Sequence, residues 1–212
     1  MGAFESVSEE EFQAIIDAAP TTGTFRRRYA ALTPRTDGED FQVHHGDLDL
    51  DGNFVAPAYC TLIVGNLTVS GFVDLANPYD KGFDEGGLFV VLGDVECRVW
   101  AGEGGKCAFV DGDLVARDLL LNAYEDSSLI VTGALGTHFF YGIDIWAEVG
   151  TGAVMEYGHG YALLHRQGQN PLQIDPRHDA EASMALIAGE DVDELSADAL
   201  MDRVRSGEAV FR

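Results

Sequence analysis

The chain has 212 residues and a formal charge of -23, from 36 acidic against 13 basic side chains. That length allows one sizeable domain with its own core but not two complete ones, and such a charge repels nucleic acid and anionic membranes. An apolar fraction of 46% with 25 glycines excludes a disordered chain and fits a folded, turn-rich one.

The amino-terminal residues MGAFESVSEEEF have neither a basic n-region nor an apolar h-region, and no apolar run approaches a membrane span, so a cytoplasmic protein is expected. Ser8 and Glu11 stand at capping-box spacing, and Phe12, Ile15, Ile16 and Ala19 share one helical face ahead of Pro20. This pattern predicts an amphipathic helix over 8–19, within an amino-terminal cap of residues 1–40.

From about residue 41 to 165 a repeat takes over. FQVHHGDLDL, LIVGNLTV, LFVVLGDVEC, AFVDGDLVA and LIVTGALGT align on Gly46, Gly65, Gly93, Gly112 and Gly133, at spacings of 19, 28, 19 and 21 residues. A degenerate further coil is expected in AVMEYGHGYALL, anchored on Gly158. Ile63, Val91, Val110 and Val131 stand two positions before the glycine. Leu48, Leu67, Val95, Leu114 and Leu135 stand two after it, and Leu50, Val69, Cys97 and Ala116 four after it. Apolar columns two residues apart have the period of a strand with one buried face. An antiparallel sandwich also alternates, but it does not require like residues at like positions in successive units; a solenoid does. The predicted fold is therefore mainly β: a single-stranded parallel β-helix of about 20 residues per coil, with amino- and carboxy-terminal capping α-helices.

The corner after each strand carries glycine followed by Asp or Asn, residues suited to a sharp turn. Asp47, Asn66, Asp94 and Asp113 thus read as a corner ladder. Asp94 and Asp113 also admit a carbohydrate-active reading, in which paired carboxylates on a lateral groove do acid–base work. Few basic residues accompany them, and the structural reading is preferred. Asp47, Asp49, Asp51 and Gly52 open like an EF-hand loop, but Ala58 stands where a bidentate glutamate is needed, and Leu48 and Leu50 belong to the interior columns.

Insertions in solenoids map to loops and often to the binding face. The 28-residue coil contains ANPYDKGFDEGG, whose Tyr79, Asp80, Phe83, Asp84 and Glu85 suit a basic partner protein. Two further aromatic–acidic candidates are Tyr124, Glu125 and Asp126 in NAYEDSS, and Tyr141, Asp144, Trp146 and Glu148 in HFFYGIDIWAE. Phe139 and Phe140 are expected inside the core. Residues 166–180 read as a connecting loop. In SADALMDRVRSG, Ser196 caps a helix whose stripe is Ala197, Leu200, Met201 and Val204, stopped by Gly207. Residues 166–212 form this loop and helical tail, and all three regions belong to one domain.

No GxSxG, Walker A or dinucleotide-binding element is present, and the six histidines show no HExxH or comparable ligand spacing. The glycines of EGGLF and AGEGGK read as turn residues. Cys60, Cys97 and Cys107 form an odd set without a CxxC pair and are expected as small core residues or free thiols. No cofactor or metal is expected.

Coils such as LIVGNLTVSGFVDL and AFVDGDLVARDLLL, followed by the tail MDRVRSGEAVFR, resemble bacterial β-solenoid immunity proteins of polymorphic toxin systems, over about residues 41–212. The coils are also similar to those of polymer-forming bactofilin-like proteins. The first resemblance implies a non-enzymatic cytoplasmic protein that neutralises a cognate toxin domain; a basic, nucleic-acid-targeting toxin would match the acidic charge. The second implies end-to-end assembly. No fixed functional residues carry over from either.

Overall fold

The structure, a computed structural model, describes residues 4–32, 40–75, 87–103, 105–159, 162–166 and 197–211. Parallel coils stack into a β-solenoid of about five turns. Each full coil lays down three strand segments, so the stack presents three sheets.

Sheet 1 contains β2 (Phe41–His45), β5 (Cys60–Val64), β8 (Leu88–Val91), β10 (Cys107–Val110), the end of β11 (Leu114–Val131), the end of β12 (Ala134–Val149) and β14 (Ala162–Arg166). Sheet 2 begins with β3 (Leu48–Leu50) and β6 (Leu67–Val69). It continues through the first parts of β9 (Val95–Glu103), β11, β12 and β13 (Gly152–His159). Sheet 3 contains β4 (Phe54–Val55), β7 (Phe72–Asp74) and the later parts of β9, β11, β12 and β13.

The registers reproduce the repeat. Leu48 pairs with Leu67, Leu67 with Val95, Val95 with Leu114, Leu114 with Leu135 and Leu135 with Ala153. All six lie in the interior, with Ile63, Val91, Val110 and Val131 on sheet 1 and Trp100, Leu120 and Phe140 on sheet 3. The last coil turns at Gly150–Thr151, whose amides donate to Val131 and Gly133 of the coil before. Gly158 is therefore not its anchor. It lies inside β13, in register with Phe140, and the true corner departs from the repeat because Gly150 is followed by Thr rather than Asp or Asn.

Gly46 and Gly65 take positive φ, 91° and 149°, but at Gly93, Gly112 and Gly133 close approach decides. A Cβ on any of these three would lie 2.6 Å from the carbonyl oxygen of the glycine one coil earlier, inside any real contact distance.

Among the described residues, three helices flank this prism. The first is α1 (Glu9–Ala18), closed by the Ser8–Glu11 capping box. Hydrogen bonds from Ser8 lower the Glu11 pKa. Next comes α2 (Gly23–Leu32), which sequence periodicity did not reveal because of its run of three arginines. Thr22 accepts from the Phe25 amide at its start and is pinned to the solenoid by Asp111, at 2.8 and 2.6 Å. At the far end, α3 (Ala197–Ser206) buries Ala197, Leu200, Met201 and Val204.

These helices cover flanks rather than ends, which differs from the capping role expected of them. Phe12, Ile16, Phe25 and Tyr29 lie over the outward column Val43, Leu62, Val90, Phe109 and Ile130 of sheet 1. α3 lies over Val99, Leu119, Leu121, Phe139 and Tyr141 of sheet 3, and Arg205 ties it to the buried Asp74 at 3.0 and 3.3 Å. The physical reason is that sheets 1 and 3 are apolar on both faces, as in CTLIV, LFVV and CAFV, and must be covered outside as well as inside. Each such fully buried Leu, Val or Phe contributes about 1.5–3 kcal/mol.

A strand closes the first edge instead. β1 (Glu5–Val7) pairs antiparallel with β2, and Phe4 packs on His44 and Phe54, plugging the interior at that end. No helix among the described residues is long and apolar enough to cross a membrane.

Candidate partner-binding surface

With sheets 1 and 3 under helices, sheet 2 has no covering element among the described residues. Its outward positions alternate strictly with the interior columns. One row runs Asp49, Thr68, Glu96, Val115, Gly136 and Val154; the other includes Asp51, Ser70, Arg98, Arg117, His138 and Glu156. Val115 is 40% and Val154 75% exposed, so the surface also offers apolar contact.

Along the edge shared with sheet 1 runs the Asx ladder. Asp47 Oδ1 accepts from the Asn66 amide at 2.8 Å, Asn66 Oδ1 from Asp94 at 2.8 Å, Asp94 Oδ1 from Asp113 at 2.8 Å, and Asp113 Oδ1 from Ala134 at 2.7 Å. Each side chain thereby satisfies one backbone donor of the next coil, and the ladder ends where Ala134 has no acceptor to pass on. Asp94 and Asp113 are thus committed to the turn. They are also exposed on a corner rather than set in a groove.

The charges of sheet 2 sort into neutralised and open ones. Arg117 pairs with Glu96, which raises the arginine's pKa, and Arg98 lies 3.7 Å from Asp118 at a bulge in β11. His138 Nδ1 meets Glu156 at 2.8 Å. Asp47, Asp49, Asp51, Asp94 and Asp113 form no ion pair. The first coils therefore present an open acidic strip, with adjacent rungs about 4.8 Å apart. The EF-hand-like residues are accounted for in the same way. Asp47 serves the ladder, Asp49 projects from the sheet, and Asp51 accepts from Ser70 at 3.0 Å. Among the described residues no group of three or more His, Cys, Asp or Glu is placed to hold a metal.

The aromatic–acidic candidates fare unevenly. Tyr79, Asp80, Phe83, Asp84 and Glu85 lie outside the described residues; the chain leaves after Leu75 and re-enters at Gly87, at the corner between sheets 3 and 1. Tyr124, Glu125 and Asp126 are not in a loop but within β11, where the register steps from Ala123↔Ile143 to Ser127↔Ile145, so these three residues bulge opposite Asp144 alone.

Two candidates are overturned by burial. Tyr141 is inaccessible because it faces outward on sheet 3 beneath α3. Glu148 continues the outward column of sheet 1 beyond Ile130, where Arg28 of α2 pairs with it and the Trp146 indole donates to it at 3.0 Å. It is 3% exposed and serves to hold α2, not a partner. Trp146 remains 37% exposed beside it. Phe140 is interior as expected, whereas Phe139 is buried on the opposite side, under α3.

None of the three cysteines is in a disulfide, and all are buried. Burial pushes the Cys107 thiol up to about 12 and raises Cys97 as well, which leaves both unreactive at neutral pH.

Sequence reasoning missed sheet 2, uncovered among the described residues, as a surface. A signal was available: strands on sheets 1 and 3 carry consecutive apolar residues, while LDLD, LTVS and VECR alternate, the mark of a sheet with one solvated face. Comparison with protein-family models, curated proteins and solved structures returns no match for this chain.

Proposed function

We propose that the protein is a non-enzymatic binding protein that takes a basic protein partner on sheet 2. In line with the resemblance of its coils to solenoid immunity proteins, the partner is a cognate toxin domain that this chain neutralises. One observation carries this: the only sheet without a covering helix among the described residues bears Asp49 and Asp51, and its edge bears Asp47, Asp94 and Asp113, five carboxylates with no ion-pair partner. A flat, hydrogen-bonded sheet holds those charges at fixed spacing, so complementary charges dock without an ordering cost. The overall charge of -23 adds long-range steering, which speeds encounter with a basic surface and repels acidic ones. Exposed Val115 and Val154 add apolar contact at the far end.

The test is co-expression with the toxin encoded beside this gene, together with the charge reversal Asp49→Lys/Asp51→Lys. Protection by the native chain, and association slowed at least tenfold by the reversal at low salt, are expected. Absence of binding and protection by the native chain sinks the reading; unchanged association by the reversed variant removes sheet 2 from it.

A further inference from the structure

Sheet 2 is not uniform along the stack. Its open carboxylates end with Asp113, whereas the central outward row goes on through Val115, Gly136 and Val154. Gly136 stands in mid-strand, partly exposed, opposite Val115 on one side and Val154 on the other, and both valines are exposed.

The fold does not require a glycine there. At Gly93, Gly112 and Gly133 an added Cβ would strike the preceding coil's carbonyl at 2.6 Å, and at Gly102 it would lie 2.1 Å from Asn122 Oδ1. At Gly136 it would meet only Val115 Cγ2, at 3.8 Å, an ordinary contact, and φ is outside the left-handed region. Glycine inside a strand is destabilising and leaves nothing to pack, and where the backbone gives no reason for it, it marks a place that another group approaches closely.

The gap defines that group. Val115 and Val154 stand two coils apart, about 9.6 Å between backbones, and a planar ring seated between methyl groups needs about 7–8 Å. Gly136 is the bare floor of this slot, and the His138–Glu156 pair bounds one side. One ring in so open a slot gains too little to hold a free small molecule, so the ring must belong to a chain that the sheet also holds by charge. Asp113 and Asp94 supply that charge: each uses Oδ1 in the ladder and leaves Oδ2 outward. From the strand spacings their Cα atoms lie about 8 and 12 Å from Gly136. A second copy of this chain, itself at -23, is repelled.

We propose that Val115, Gly136 and Val154 form the seat for one aromatic side chain of a basic polypeptide, whose lysines or arginines two and four positions further along an extended chain reach Asp113 and Asp94. This rests on the sheet 2 reading and adds the feature that tells the partner from any other basic surface.

The test titrates the full-length, isotope-labelled protein with acetyl-Trp-Gly-Lys-Gly-Lys-amide and with its leucine counterpart, and follows backbone amide shifts by NMR. Saturable shifts at Val115, Gly136 and Val154 together with Asp94 and Asp113 are expected, with tryptophan at least roughly threefold tighter than leucine. Gly136→Val fills the slot and Val154→Ser removes a wall, and each should abolish the tryptophan preference while leaving the lysine-dependent shifts. Gly136→Val should also melt no lower than the parent; a lower melting temperature would return the glycine to the fold and overturn the proposal. Equal binding of the two peptides, or a preference that survives both substitutions, overturns it as well. Equal shifts confined to Asp94 and Asp113 remove the seat but leave the acidic surface, whereas no shift on sheet 2 with either peptide removes both.

Discussion

Replacing Gly112 with alanine puts a methyl group between two coils that have no room for one. The added Cβ would lie 2.4 Å from Asp94 Oδ1 and 2.6 Å from the Gly93 carbonyl oxygen. The Asp94 carboxylate can rotate away, but the Asp113 amide then loses its 2.8 Å acceptor, at a cost of about 1 kcal/mol. The Gly93 carbonyl is backbone of the neighbouring coil, so relieving that contact means parting the strands, an overpacking cost of about 1–3 kcal/mol. Restriction of the unfolded chain offsets about 0.4–1 kcal/mol. The net loss is then about 1–3.5 kcal/mol. Gly23→Ala is the control, because nothing lies within 4 Å of its added Cβ, and it should be neutral or slightly stabilising. Urea unfolding followed by circular dichroism reads both. A Gly112→Ala protein within about 0.5 kcal/mol of the parent, at unchanged urea dependence, would refute the stacking explanation of the glycine column.

Three other outcomes follow from the same geometry. Asp94→Asn keeps the ladder acceptor and relieves repulsion from Asp113, about 0.9 kcal/mol at one coil's separation in water; Asp94→Ala loses the acceptor. The asparagine variant should therefore be the more stable by about 1 kcal/mol in urea unfolding, and equal stabilities would contradict the ladder. Thiol titration with a disulfide reagent should leave Cys60, Cys97 and Cys107 unmodified until the protein unfolds. Because burial raises the Cys107 pKa from 9.0 to about 12, its contribution to stability is fully present below pH 9 and lost as pH rises towards 12; Cys107→Ala should flatten that alkaline decline in melting temperature. Arg28→Ala removes the guanidinium that pairs with the buried Glu148, which should cost about 1–3 kcal/mol and loosen α2 in hydrogen exchange.

What was legible without coordinates was whatever the repeat imposes. Parallel stacking puts residue on like residue, so Leu67, Val95, Leu114 and Leu135 had to form a column, and Asp47, Asn66, Asp94 and Asp113 a corner ladder. The capping box at Ser8 and Glu11 was equally local, and its helix formed where the spacing put it. The surface was harder to read. Aromatic and acidic residues mark a binding site only when they face solvent, and for Tyr141 and Glu148 that depends on α3 and α2, elements distant in sequence.

The sequence by itself thus determined the coil, its interior and its corners, because those rest on contacts between equivalent positions at a fixed spacing. Only the tertiary structure decided which of the three outer faces has no helix over it among the described residues. A helix settles on a flank because the sheet beneath it is apolar on both sides, and that covering leaves the acidic sheet 2 as the face turned outward.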